Sequence, residues 1–343
     1  MKFSSLFKSR KKSTVEPVDA QTETASNTTM NEVPTFGSQD PADLVRAKCY
    51  CRILTQGHDS QQSEAEIAAA LIALEEEMSM VIGSMGVKPA SPSATSADGE
   101  STPTQEAAVT QPFYIDRFAV TNADFAHFVN SGAYTEMEYW PKEIWSNVLQ
   151  FVDSTGYPGP RFWVNGRPPR NKEKHPVVGI CWYEAKAYAD WCGKRLLTSS
   201  EWERAGSWPS GMDGRSEKVR YPWGNSFDPA RANTWIGGPG ETVPVDEYYE
   251  GCTPNGVYQL VGNVWEWVST PYTCRTGQGG FTVEITQPMA EIRGGAFDTY
   301  FETQATCQFR TGQPVLYRGP NVGFRCCVDA GKLCQPPQPA AFL

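Results

Sequence analysis

Gly262-Asn263-Val264-Trp265-Glu266-Trp267, with Gly323-Phe324-Arg325 further along, is the stretch on which the fold of this chain is read. It lies in the region after Gly206, which reads as loops and short strands dense in Gly, Pro, Trp and Tyr. The 343-residue chain shares that character, with 30 Gly, 26 Pro and 11 Trp. This mixture predicts irregular backbone pinned by large aromatic side chains. It argues against a helical bundle, whose regular turns Gly and Pro break. On structural grounds alone, Glu266 reads as a hydrogen-bonded carboxylate that ties its turn together.

Upstream of that stretch the elements are clearer. Phe113-Tyr114-Ile115-Asp116-Arg117-Phe118 reads as a strand. Thr121-Asn122-Ala123-Asp124 caps a helix whose apolar face holds Phe125, Phe128 and Val129 and which ends at Gly132. His175-Pro176-Val177-Val178-Gly179-Ile180 is extended and feeds a helix from about Tyr183 to Cys192, with Ala185, Tyr188, Ala189 and Trp191 inward. Thr198-Ser199-Ser200-Glu201 is a capping box that opens a short helix with Trp202 and Ala205.

The N-terminal part divides by composition. Residues 1–39 are polar and without periodicity, and are expected to be a disordered tail. Residues 40–86 read as a helical hairpin. Asp40-Pro41 supplies a cap and a first-turn proline, and Ser63-Glu64-Ala65-Glu66 is a capping box. The second helix carries Ile67, Leu71, Leu74, Met78 and Val81 as one apolar stripe, with Gly83 or Gly86 as its stop. That stripe is either a face for an unknown protein partner or a surface that packs internally. Residues 87–111 read as a Pro/Ser/Thr-rich linker, 112–329 as the main domain and 330–343 as a Pro-rich tail.

Several function classes are excluded at this level. The net charge is −9, whereas binding to nucleic acid needs clustered Lys and Arg, so no nucleic acid is expected as a partner. No 18-residue apolar run occurs, so no transmembrane segment is expected, and with no signal peptide the predicted location is cytoplasmic. The ten cysteines include no Cys-x-x-Cys pair and there are only three histidines, which argues against a zinc site. Most thiols are expected free and buried, with the adjacent Cys326 and Cys327 on opposite faces of a strand.

The order of motifs from Val120-Thr121-Asn122 through His175–Ala185, Trp191–Glu203, Tyr221-Pro222-Trp223-Gly224, Asn255-Gly256-Val257-Tyr258, Gly262–Trp267 and Arg293-Gly294-Gly295 to Gly323-Phe324-Arg325 resembles the formylglycine-generating enzyme (sulfatase-modifying factor) family. Leu197 replaces the usual Pro of one motif. The resemblance covers about two-thirds of the chain. It implies an α+β fold of the irregular C-type-lectin-like class, low in regular structure, and that irregularity agrees with the composition.

The same resemblance implies what is missing. The family oxidises a substrate cysteine through Cu(I) held by two thiols five residues apart, soft ligands suited to that ion. Those thiol positions fall here on Thr299 and Gln304, and a neighbouring serine position on Ala296. Copper is therefore not expected. A calcium ion is, with Gln259, Gly262, Val264 and Glu266 at the matching positions and Asn233 at those of a second ion, where Glu241 is the acid on offer. Asp298, Tyr300, Glu302 and Arg310 fall on the segment that lines the family's pocket.

The expected function is a non-catalytic binding or scaffold module. Two alternatives stand beside it: an oxidoreductase of altered chemistry, and a lectin-like binder using aromatics around Trp140, Trp145, Trp163 and Trp235.

Overall fold

The computed structural model describes residues 40–55, 63–83, 111–207, 219–273 and 286–333. The expected tail at 1–39, the linker up to residue 110 and the end of the chain from 334 lie outside the described residues. Two short helices open the described chain, α1 (Pro41–Arg46) and α2 (Tyr50–Thr55). Helix α3 (Glu64–Glu77) and strand β1 (Met78–Val81) follow. Then come β2 (Phe113–Asp116), α4 (Asn122–Asn130), α5 (Trp145–Val148), α6 (Trp182–Trp191), β3 (Arg195–Leu196) and α7 (Ser199–Gly206). The remaining strands are β4 (Trp265–Pro271), β5 (Met289–Arg293), β6 (Arg310–Pro314), β7 (Val322–Gly323) and β8 (Cys326–Asp329).

Local chemistry sets the helix starts. Ser63, Thr121 and Thr198 each form a reciprocal capping box with the acid three residues on, pairing backbone N–H groups that a helix start otherwise leaves free. Asp40 caps α1 by accepting from the Ala42 N–H at 2.9 Å.

The strands form two sheets of four, ordered β1-β2-β8-β3 and β6-β5-β4-β7. The first is antiparallel throughout. The second holds one parallel pair, β4 with β7, which sets Glu266 beside Gly323. Strand β5 sets Arg293 on the other side of Glu266. Mixed helices, short sheets and long irregular connections make this an α+β fold. On β8, Cys326 faces the core that holds Phe125 and Trp191, while Cys327 faces the one that holds Trp202 and Ile115. The two thiols lie on opposite faces, as their adjacency on a strand predicts.

The N-terminal segment departs from expectation. Helix α3 stops at Glu77, and Met78–Val81 leave it as a strand, with Met78 opposite Asp116 and Val81 opposite Phe113. Pairing with β2 replaces the backbone bonds of another helical turn, so the helix does not run on to Gly83 or Gly86. The apolar stripe is used internally. Leu74 and Met78 lie in one core with Phe125 and Trp191, Ile67 and Leu71 pack against it, and Val81 lies in the second core. It is therefore not a free face for a partner. Helix α2 is seated on the end of α6, where Gly193 (φ +74°) leaves no room for a β-carbon, since one would lie 2.7 Å from the Arg52 backbone nitrogen. No helix among the described residues is long and apolar enough to cross a membrane.

Candidate functional site

The turn at Gly262 and the strand after it are built around a buried ion pair. Arg325 is 0% exposed and Glu266 1%. Arg325 Nε donates to both carboxylate oxygens at 2.9 Å, and Nη2 donates to Oε1 at 2.7 Å. The other guanidinium N–H groups reach the carbonyls of Asp116, Arg117 and Tyr258 at 2.7–3.1 Å. Trp202 Nε1 donates to Glu266 Oε2 at 2.7 Å. A buried pair of charges is tolerable when each is fully hydrogen-bonded, and this one is.

Beside the pair lies a chain of buried amides. Gln259 (φ +50°) and Asn263 (φ +65°) both take the left-handed conformation that leads the chain through the turn. Gln259 Nε2 donates to the Pro244 and Glu247 carbonyls at 2.9 and 3.0 Å. Its Oε1 accepts from Asn263 Nδ2 at 2.6 Å. Asn233 Nδ2 donates to Asn263 Oδ1 at 3.1 Å and to the Glu241 carbonyl at 2.9 Å. Asn233 Oδ1 and Thr234 Oγ1 are buried without a hydrogen-bond partner.

At Gln259 and Glu266, two of the positions expected to hold calcium, the side-chain oxygens make hydrogen bonds within the protein. Calcium takes about six to eight oxygens. The Gln259 amide oxygen and both Glu266 oxygens are already committed to protein donors, and the charge of Glu266 is balanced by Arg325. Near Asn233 two buried side-chain oxygens on consecutive residues lack hydrogen-bond partners. Glu241, the acid expected there, is held by Lys172 Nζ at 2.7 Å, whose hydrogen bond and charge lower its pKa. Among the described residues no group of three or more His, Cys, Asp or Glu side chains is placed to hold a metal ion.

The segment expected to line a pocket begins with two left-handed glycines, Gly294 (φ +97°) and Gly295 (φ +80°). Thr299 is buried, and its hydroxyl accepts the Ala296 N–H at 2.8 Å while its own N–H donates back to the Ala296 carbonyl at 2.9 Å. The tight turn is thus closed by the hydroxyl at one of the implied thiol positions. Gln304 is half-buried on the short helical turn Glu302–Gln304. Cys307 is turned towards α7, with its sulfur packed on Gly206, and burial pushes its thiol pKa up.

The four expected pocket residues have separate neighbours. Asp298 accepts from Asn321 Nδ2 at 2.9 and 3.2 Å. Tyr300 and Phe301 are exposed, their rings edge to face at 5.1 Å, with Trp235 6.4 Å from Tyr300. Glu302 is exposed. Arg310 lies on β6 and pairs at 3.0 Å with Glu291 on β5. Of the aromatics expected at a lectin-like surface, Trp140 and Trp163 are in the core, whereas Trp145 and Trp235 are exposed.

The sequence reading missed a second buried charge. Lys194 Nζ is 2.7 Å from Asp116 Oδ1 and 3.2 Å from the Tyr50 hydroxyl. Burial works most strongly against the ammonium, yet Asp116 together with Tyr50, Cys51 and Cys192 outweighs it and holds the Lys194 pKa well above normal. Nothing local in the Gly193-Lys194-Arg195 stretch signals a partner so distant in sequence.

Compared with known proteins, residues 66–330 match the sulfatase-modifying factor enzyme 1-like domain. The inactive C-alpha-formylglycine-generating enzyme 2 of Bos taurus is 34% identical over 266 residues, covering 68% of this chain and 82% of that protein. The formylglycine-generating enzyme of Streptomyces coelicolor is 33% identical over 273 residues, covering 68% and 83%. The hercynine oxygenase of Mycobacterium tuberculosis is 34% identical over 168 residues, covering 46% of this chain and 38% of that protein.

Proposed function

The chain belongs to the family of the sulfatase-modifying factor enzyme 1-like domain, and within that family we propose that it serves as a non-catalytic binding or scaffold module. The observation that carries this reading is the turn at Ala296–Thr299. Where the family resemblance calls for a thiol, a buried threonine hydroxyl is spent on a backbone N–H at 2.8 Å. The second thiol position holds Gln304, an amide that offers no soft ligand for Cu(I). Cys307 packs on α7, and burial raises its thiol pKa, which disfavours the reactive thiolate. The bovine relative at 34% identity carries "inactive" in its name, which is consistent with a family member that has left the chemistry behind.

A cytoplasmic location is part of the same proposal. It draws support from eight described cysteines that are free thiols, a state suited to a reducing compartment.

The test is direct. Full-length protein is incubated with Cu(I), oxygen and a cysteine-containing sulfatase peptide, and the product is read by mass spectrometry. The Streptomyces coelicolor enzyme serves as the positive control. No aldehyde is expected from this chain, and conversion of cysteine to formylglycine above the no-protein control would overturn the proposal.

A further inference from the structure

A groove of about 630 Å³ opens on the loops between residues 230 and 250, within the size range of about 300–1,000 Å³ for small-ligand sites. Pro239 and Pro244 contribute apolar wall, Tyr248 and Tyr249 contribute ring surface, and Glu247 and Glu250 bring two carboxylates. The charge around it is unbalanced. Arg231 is the neighbouring cation, 3.8 Å from Glu250, but it is already shared with Asp228 at 3.1 Å. Asp228 and Glu250 thus share one guanidinium, Glu250 also accepts from the Tyr249 hydroxyl at 3.4 Å, and Glu247 lines the groove with no ion pair among the described residues.

The frame beneath these groups is rigid. Gln259, buried in the amide chain, donates to the carbonyls of Pro244 and Glu247. Arg231 Nη1 donates to the Glu250 carbonyl at 2.9 Å. Tyr248 is held in the left-handed conformation at φ +55°, costly for an aromatic residue, and its hydroxyl donates to the Gly237 carbonyl at 3.3 Å. A strained aromatic kept in place by buried polar groups is a pre-organised wall.

The geometry points to this groove as a binding site for an organic cation with an alkylammonium head group. Tyrosine rings attract such a cation through their faces, and the surplus carboxylate charge adds to the attraction. Anionic ligands are repelled by the same carboxylates, and a neutral apolar ligand would strip water from them without repayment. This inference deepens the binding-module reading and rests on it.

Choline is titrated into the full-length protein by calorimetry, beside its neutral isostere 3,3-dimethylbutan-1-ol. Saturable choline binding that weakens with salt is expected, at least tenfold weaker in Glu247→Gln and in Glu250→Gln, with no binding of the isostere. Both exchanges are at exposed positions, and an unchanged thermal midpoint verifies the fold. A peptide carrying trimethyllysine forms a further arm: tighter binding than choline marks a protein-borne cation, and weaker binding marks a free small molecule. Absence of choline binding, equal binding of the isostere, or indifference to both glutamine variants would overturn the site. Those outcomes leave the formylglycine assay unaffected, and aldehyde formation in that assay would defeat the binding-module reading while leaving choline binding measurable.

Discussion

Arg325 and Glu266, 59 residues apart in sequence, meet as a fork inside the protein, with Nη2 2.7 Å from Oε1 and neither residue more than 1% exposed. The fork ties β4 to the end of β2, because Arg325 also holds the Asp116 and Arg117 carbonyls. Removing one partner leaves the other charged and buried without its counter-charge, which costs roughly 3–5 kcal/mol. Glu266→Gln and Arg325→Met are each expected to lower unfolding stability by that order in urea titrations. The apolar pair Glu266→Met with Arg325→Met is expected to lose less than the two single variants combined. Additive losses would show that the two side chains do not act as a unit.

How much of this was legible in the sequence follows from range. The caps at Ser63, Thr121 and Thr198 involve groups three residues apart, so their spelling and their geometry coincide. The alternation of Cys326 and Cys327 is equally local. The end of α3 was not legible, because Met78–Val81 fit the helical stripe and become a strand only through pairing with Phe113–Asp116. The pairing of Glu266 with Arg325 was not legible for the same reason: its charge partner lies far along the chain. Asp298, Tyr300, Glu302 and Arg310 share a segment but take different neighbours, since Arg310 belongs to a sheet whose register decides its partner. Tyr248 and Tyr249 adjoin Glu247 and Glu250 in sequence but carry no motif, and only the fold sets them beside Pro239.

The protein-filled donor set around Gln259 and Glu266 has a consequence for metal removal. Where calcium holds a turn together, chelation lowers stability by the lost binding free energy. Here Arg325 and the amides already fill that role. The thermal midpoint is expected to be the same in millimolar calcium and in EDTA. A rise of several degrees with calcium would show that an ion displaces these contacts.

Thr299 and Gln304 can be asked directly what they replaced. The threonine hydroxyl closes the Ala296 turn, so Thr299→Cys alone exchanges that hydrogen bond for a weaker one to sulfur. A modest loss of stability, about 1 kcal/mol, is expected. Thr299→Cys together with Gln304→Cys sets two thiols five residues apart, and the double variant is expected to bind Cu(I) at one equivalent where the parent chain does not. Copper quantified after gel filtration under reducing conditions checks this. An equal copper content in the parent chain would mean that other sulfurs bind the ion.

Gly193 controls how the N-terminal helices sit on the rest of the protein. It follows α6 at φ +74°, a conformation natural to glycine and strained for other residues. A β-carbon there would lie 2.7 Å from the Arg52 backbone nitrogen and 2.9 Å from its Cγ, too close for either to remain in place. Strain and overlap act together in Gly193→Ala, so a loss of roughly 2–3 kcal/mol is expected from thermal or urea unfolding. The loss has a location as well as a size. The overlap pushes on α2, whose Tyr50, Ile53 and Leu54 belong to the same core as Trp191. Limited proteolysis of the variant is therefore expected to cut first around α2, before the region of β4 and β5. Cleavage spread evenly over the chain would mean that the helical segment and the sheets unfold as one cooperative unit.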